Sequence, residues 1–241
     1  MRLSVGSLFA GIGGFDLGFE RAGFEIKWQV ENDEFAVRVL RKHWPDIQRY
    51  GDITVIDWSA VERVDVLCGG FPCQPVSFAG LGLIEADERW LWPDFAGAIR
   101  HLRPRYVVME NVAALLSRGF GEVVGELAAA GYDAEWLCVE ARDVGAPHER
   151  DRLFLVAYPD EGDGQAGMGH LAHRSRPILA GDHPQRADFW LQAPREALGM
   201  DDGIRGRAYE RRVGAIGNSI VPQIAEWIAR RILQAEEWIT R

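Results

Sequence analysis

Residues 3–31 read LSVGSLFAGIGGFDLGFERAGFEIKWQVE, and this stretch decides the fold. Leu3–Phe9 is a short apolar run that passes straight into Phe9-Ala10-Gly11-Ile12-Gly13-Gly14. A helical pattern follows through Phe15, Leu17, Phe19 and Ala22, with Gly23 as a stop signal. Phe24–Val30 alternates like a second strand and ends at Glu31, 17 positions after Gly14. Glycines between a strand and a helix let the backbone turn tightly and approach a ligand closely. An acid at the end of the next strand can accept hydrogen bonds from ribose hydroxyls. The pattern suits a nucleoside-containing cofactor, although the spacing is not the dinucleotide G-x-G-x-x-G. A glycine-rich turn with a surface glutamate fits these residues equally well, so they leave both readings open.

Working outward, the spacing predicts helices over Glu34–His43, Trp92–Leu102 and Phe120–Ala130, the last closed by Gly131. Apolar runs predict strands at Val64–Leu67, Tyr106–Met109 and Leu153–Ala157. Strands alternating with helices imply an α/β fold with a mostly parallel sheet covered on both faces. From Pro159 to about Arg212 the alternation fails, and Gly, Pro, His, Arg and Asp dominate. That stretch is expected to be a separate small module or a long functional insert. Order returns at Pro222, a good helix start, with Ile224, Ile228 and Ile232 at helical spacing up to Trp238. The domain expectation is therefore 1–157 with 213–241 as one unit, and 158–212 as a small second region.

Bulk properties exclude some classes. The chain has 241 residues, 47% hydrophobic and 26% charged, which is enough for one large globular domain. No apolar run is long enough to span a bilayer, and the N-terminus reads better as a first strand than as an export signal. Three cysteines cannot all pair. A reducing, cytoplasmic setting with free thiols is expected. The net charge of −9 argues weakly against nucleic acid as a partner, but the distribution of charge decides the local field. Between His170 and Arg212, eight arginines (174, 176, 186, 195, 205, 207, 211 and 212) outnumber six acids. Basic character is thus concentrated late in the chain.

Three pieces carry chemistry. In Gly69-Gly70-Phe71-Pro72-Cys73-Gln74-Pro75, a buried strand runs into a proline-stiffened loop that presents Cys73. A thiol is a strong nucleophile once deprotonated. Cys68 and Cys138, by contrast, sit inside apolar strand patterns and read as small buried residues. Glu110-Asn111-Val112 puts a carboxylate at the C-terminal end of a strand, where open α/β sheets bind ligands. In Ala146-Pro147-His148-Glu149-Arg150-Asp151-Arg152 the two arginines share a face at period two; an exposed, salt-bridged strand edge is the plainer alternative. Asp52, after Gly51, suits an adenine amino group or an ordinary turn.

Taken in order, these pieces resemble the C5-cytosine DNA methyltransferase family. The match runs from Leu3 to about Ala157 and again from Val213 to Ile232, where Gly217-Asn218-Ser219-Ile220 lies. The resemblance implies a Rossmann-like three-layer α/β sandwich of the S-adenosylmethionine-dependent methyltransferase class, with a small irregular target-recognition region. It implies S-adenosylmethionine as cofactor, held by Phe9 on the adenine, by Gly11, Ile12, Gly13 and Gly14, by Glu31 on the ribose, and by Asp52 and Ile53 at the adenine edge. Pro72, Trp92, Asn218 and Ser219 complete that pocket. Cys73 is then the nucleophile, Glu110 holds the cytosine ring, Arg152 contacts O2 and Arg150 orders the site. Gln74, Pro75, Ser77, His148, Arg207, Arg211 and Arg212 are expected to touch the substrate, double-stranded DNA with its target base flipped out. No metal, no membrane and a monomer are expected, in a bacterial or phage restriction-modification or self-protection setting.

Three features depart from the family pattern. His148 stands where glutamine is common, though both donate and accept hydrogen bonds. The usual conserved region between the arginine pair and Gly217 is missing, and the recognition region is short. The RNA branch of the family shares the motifs, but its Cys-Phe-Thr tripeptide is absent. A non-catalytic relative would show a damaged cysteine, glutamate or glycine loop. A nicotinamide oxidoreductase would not explain Pro-Cys-Gln or Glu-Asn-Val.

Overall fold

The computed structural model describes residues 2–72, 90–140, 143, 151–160, 178–179 and 219–239. Seven strands among them form one sheet: β1 Ser4–Leu8, β2 Glu25–Val30, β3 Gln48–Tyr50, β4 Val66–Gly69, β5 Tyr106–Val112, β6 Tyr132–Glu140 and β7 Asp151–Pro159. Their order is β3-β2-β1-β4-β5-β7-β6. Strands β1 to β5 pair in parallel, while β7 pairs antiparallel with both β5 and β6. The helices are α1 Gly14–Ala22, α2 Glu34–His43, α3 Trp92–Leu102, α4 Phe120–Ala129 and α5 Pro222–Ile239.

The sheet separates two apolar clusters. One gathers Leu8, Leu67, Val107, Met109, Leu153 and Leu155 beneath α3 and α4. The other gathers Val5, Val66, Val108, Phe154 and Val156 beneath α1 and α5. Neighbouring residues of one strand enter opposite clusters because side chains alternate across a strand. Both faces are covered, so the central strands carry near-continuous apolar runs. Helix α1 packs closely on α5: a Cβ on Gly18 would stand 2.5 Å from the Ala225 Cβ, and one on Gly14 would meet the Ile220 carbonyl oxygen and, at 2.8 Å, the Ser219 hydroxyl. This pair of small residues, four apart on one helix face, seats the C-terminal helix against the first.

The expected α/β architecture is present, with three differences. Strand β6, seen in the sequence only as the apolar pattern around Cys138, is a half-exposed edge strand in which Asp133, Trp136 and Cys138 face water. Cys138, expected to be buried, is exposed for the same reason. Ile178 and Leu179, inside the stretch expected to stand apart, are buried (1% and 8% exposed) in the α1–α5 cluster.

Candidate active site

In the order 3-2-1-4-5 the chain leaves β1 toward one sheet edge and β4 toward the other. Open α/β sheets bind ligands at the carboxyl ends of the strands beside such a reversal. Here the loop Phe9–Gly13 follows β1 and Gly70–Pro72 follows β4, with β1 and β4 adjacent. Glu31 follows β2, Asp52 and Ile53 follow β3, and Glu110 lies near the end of β5. Because β7 runs the other way, Arg152 near its start comes to the same edge.

The glycine loop is set by its backbone. Gly11 and Gly13 take φ of +56° and +88°, which favour glycine, and a Cβ on Gly11 would meet nothing within 4 Å. Among the described residues, space is therefore open beside Gly11. Phe9 also has positive φ, +51°, a strained state for an aromatic residue and one that clusters at ligand clamps. Its ring stacks on Phe95 at 6.4 Å between centroids, and it is only half-buried.

Glu31 ties the loop to the rest of the site. Its Oε2 accepts from the Gly11 N–H at 2.6 Å and its Oε1 accepts from the Asp33 N–H at 2.8 Å. Asp52 caps a short 3-10 turn at Ile53–Val55, accepting through Oδ1 from the Thr54 N–H and Oγ1 at 3.0 and 2.8 Å. These bonds hold its carboxyl below the usual range. Ile53 is buried beneath the turn. Asp94, in the first turn of α3, is pushed upward by burial and then by the charge of Asp52.

Beneath the loop is a buried polar trio. Asp16 Oδ2 accepts from the Ser7 hydroxyl at 3.2 Å and Oδ1 from the Gln29 amide at 2.9 Å, all three residues being wholly buried. Burial raises Asp16 to about 6 against those hydrogen bonds and the Arg49 charge. Cys68 lies close by, and burial together with the Asp16 charge pushes its thiol far up. Cys68 is thus unsuited to be a nucleophile.

At the other end of the site, Glu110 Oε1 stands 3.0 Å from Arg152 Nε. Gly70 makes room for this carboxylate: a Cβ there would lie 2.6 Å from Glu110 Oε2. Asn111 faces the opposite side and donates through Nδ2 to the Phe71 carbonyl at 3.2 Å, linking the end of β5 to the loop that leads to Cys73. The fold thereby sets a carboxylate–guanidinium pair beside that loop's origin.

The structure brings together Phe9, Gly11, Ile12, Gly13, Gly14, Glu31, Asp52, Ile53, Pro72, Ser219, Glu110 and Arg152 on the carboxyl edge. Trp92, at the start of α3, is 0% exposed and packs on Phe71 and Phe95, behind the loop that follows β4. Asp94, in the first turn of α3 and within the electrostatic reach of Asp52, is the residue not singled out in the sequence. Only the Pro93-Asp94 pair, a helix-start signal, marked this turn in the sequence. Cys73, Gln74, Pro75, Ser77, His148, Arg150, Arg207, Arg211, Arg212 and Asn218 lie outside the described residues.

With this geometry in view, residues 3–187 match the model of the C-5 cytosine-specific DNA methylase family. The chain belongs to that family. Among relatives of this methylase-family chain, the type II methyltransferase M.NlaX of Neisseria lactamica is 36% identical over 212 residues, covering 85% of the chain and 64% of that protein. M.NgoBI of Neisseria gonorrhoeae is 35% identical over 158 residues, covering 64% of the chain and 50% of that protein. The methylase-family chain thus spans about half the length of several relatives it matches. A structure described as a candidate DNA modification methyltransferase from an E. coli prophage aligns with TM-score 0.55 and 26% identity, over 65% of this chain and 47% of that one. The Entamoeba histolytica methyltransferase EhMeth aligns at TM-score 0.66 and 15% identity over 97% and 98%, a likeness of fold alone.

Proposed function

We propose that this protein is a DNA cytosine-5 methyltransferase that uses S-adenosylmethionine. The observation that carries the reading is the convergence, on one sheet edge, of an open glycine loop fastened by Glu31 and a Glu110–Arg152 pair beside the loop that leads to Cys73.

The residues fit the cofactor. Space over Gly11 is open, Phe9 offers a half-buried ring, and the Asp52 carboxylate keeps Oδ2 to accept from an adenine amino group while Oδ1 caps the turn. Glu31 would take ribose hydroxyls, and Pro72, Trp92, Asn218 and Ser219 would complete the pocket. S-Adenosylmethionine supplies an electrophilic methyl group on a sulfonium when bound.

The chain's own residues make cytosine reactive. The Cys73 thiolate would add to C6 and move the ring electrons to C5, making C5 the nucleophile for a sulfonium-bound methyl, whose S–C bond would break with its electron pair left on sulfur as a thioether. Loss of the C5 proton to a base and cleavage of the C6–S bond return the thiolate and leave 5-methylcytosine. Glu110 would hold N3 and the 4-amino group, Arg152 would contact O2, and Arg150 would order the pair. Charge that builds as the thiolate adds is thereby met by groups already in place. A stacked base exposes neither face, so the target must be flipped out of a duplex. Residues 158–212, with Arg207, Arg211 and Arg212, would contact phosphates and bases. A monomer acting in a bacterial cytoplasm, host or phage-encoded, fits this reading; His148 then takes a glutamine's place.

The test is methyl transfer from labelled S-adenosylmethionine to unmethylated genomic DNA by wild type and Cys73→Ala, with modified positions read by bisulfite sequencing. Label at cytosine C5 that vanishes in Cys73→Ala supports the reading and gives the target sequence. Label on tRNA and none on DNA would move the substrate to the RNA branch.

A further inference from the structure

Chain residues 160–218 join β7 to the approach to α5, and among the described residues of that stretch Ile178 and Leu179 pack on the core. There Glu135 of β6 accepts from both backbone N–H groups, Oε1 from Ile178 at 2.6 Å and Oε2 from Leu179 at 2.7 Å. Arg231 of α5 donates through Nε to the Ile178 carbonyl at 2.8 Å. Both side chains are buried in the cluster that also holds Val139, Phe154, Val156, Ile228 and Ile232. A carboxylate spanning two successive N–H groups, with a guanidinium on the adjoining carbonyl, pins main chain by charge-assisted bonds at both poles.

This point lies on the catalytic face. Glu110 and Arg152 alternate in step with Val108 and Phe154, and those two residues belong to the same cluster as Ile178 and Leu179. Across the sheet, Glu135 pairs with Val156, and Val156 with Val108, two residues below Glu110. The peg and the Glu110–Arg152 pair therefore lie on the same face of the sheet, with Glu135 two strands from Glu110.

We propose that Glu135 and Arg231 are positioning residues for DNA: by pegging Ile178–Leu179 they fix where the arginine-rich chain leaves the catalytic sheet, and so set its register against the target base. The inference rests on the DNA methyltransferase reading. It assigns the peg no contact with cofactor or with the reacting cytosine.

Glu135→Gln tests it, because an amide group must point a donor at one of the two N–H groups while the size is kept. The full chain is assayed for methyl transfer, with KM for DNA, KM for S-adenosylmethionine and melting temperature measured together. Expected is a rise of about tenfold in KM for DNA, with cofactor KM and melting temperature little changed. Arg231→Ala should act the same way and Arg231→Lys, which keeps a donor, should recover part of the loss. An unchanged KM for DNA in Glu135→Gln and Arg231→Ala overturns the proposal. So does a fall in all parameters along with melting temperature, which would make the peg purely structural. Failure of the underlying reading is distinct: wild type itself would then methylate no DNA, and the inference would fall with it.

Discussion

Glu110 on β5 and Arg152 on β7 meet at 3.0 Å although they are 42 positions apart, because Arg152 stands opposite Val112 and reaches diagonally along the antiparallel pair. Glu110 is 8% exposed, and the guanidinium fixes its carboxylate against Gly70. If Glu110 holds the cytosine ring, Glu110→Gln should lower kcat by about 10²–10³, the usual cost of losing one preorganised stabilising group. KM for DNA should change little. Single-turnover methylation kinetics would check this, and a kcat within threefold of wild type would remove Glu110 from the chemistry.

The Gly70 contact offers a second route to the same centre. Gly70→Ala puts a Cβ 2.6 Å from Glu110 Oε2 while leaving every titratable side chain in place. The carboxylate must shift, and kcat should fall by at least about tenfold while cofactor affinity is kept. Normal kcat in this variant would mean that the loop gives way instead.

Glu31 makes two charge-assisted bonds to the main chain, one of them to the cofactor loop. Its removal loosens the loop as well as deleting an acceptor for the ribose. Glu31→Ala should weaken S-adenosylmethionine binding by about 10- to 100-fold. Calorimetric titration of cofactor into the free enzyme reads this directly.

Gly14 lies against the Ile220 carbonyl and the Ser219 hydroxyl. A backbone oxygen cannot rotate away as a side chain can, so Gly14→Ala must part α1 from the chain entering α5. A loss of about 1–3 kcal/mol is expected, corresponding to a melting-temperature drop of about 2–12 °C for a chain of this size. Gly97→Ala, inside α3 where a Cβ meets nothing within 4 Å among the described residues, is the control and should melt at or slightly above wild type, since alanine suits a helix interior better than glycine.

Asp16 gives the pH dependence a sign. Burial raises its folded pKa from 3.8 to about 6, so the folded state holds the proton where the unfolded chain has lost it. Stability therefore declines as pH rises from about 4 to about 6, by up to about 3 kcal/mol from this group. Asp16→Asn keeps an acceptor for Gln29 and meets the Ser7 hydroxyl with a donor, and nothing in it ionises. Urea unfolding between pH 4 and 8 should show the variant gaining on wild type as pH rises, with the difference level above pH 6 to 7. A difference independent of pH would mean that Asp16 keeps an ordinary pKa.

Local sequence determined much of this protein. The glycine-rich turn, the spans of α2 and α3, and the acids at the ends of β2 and β5 were legible because glycine, capping and hydrophobic period act within a few residues. The motif order also indicated which side chains share an edge. Tertiary structure alone decided the rest. The full burial of Trp92 against Phe71 and Phe95 is one such case, because helical period does not say which neighbours a face will meet. Strand β6 showed only as the apolar pattern around Cys138, and the exposure of that thiol was not legible, because an edge strand buries only part of its surface. The Glu110–Arg152 pair, the left-handed turn at Phe9, the raised Asp16 and the Glu135–Arg231 peg all arise from residues distant in the chain or from backbone strain. Such contacts exist only once the sheet has closed, since only packing brings these groups within hydrogen-bonding range and removes the water that would otherwise screen them.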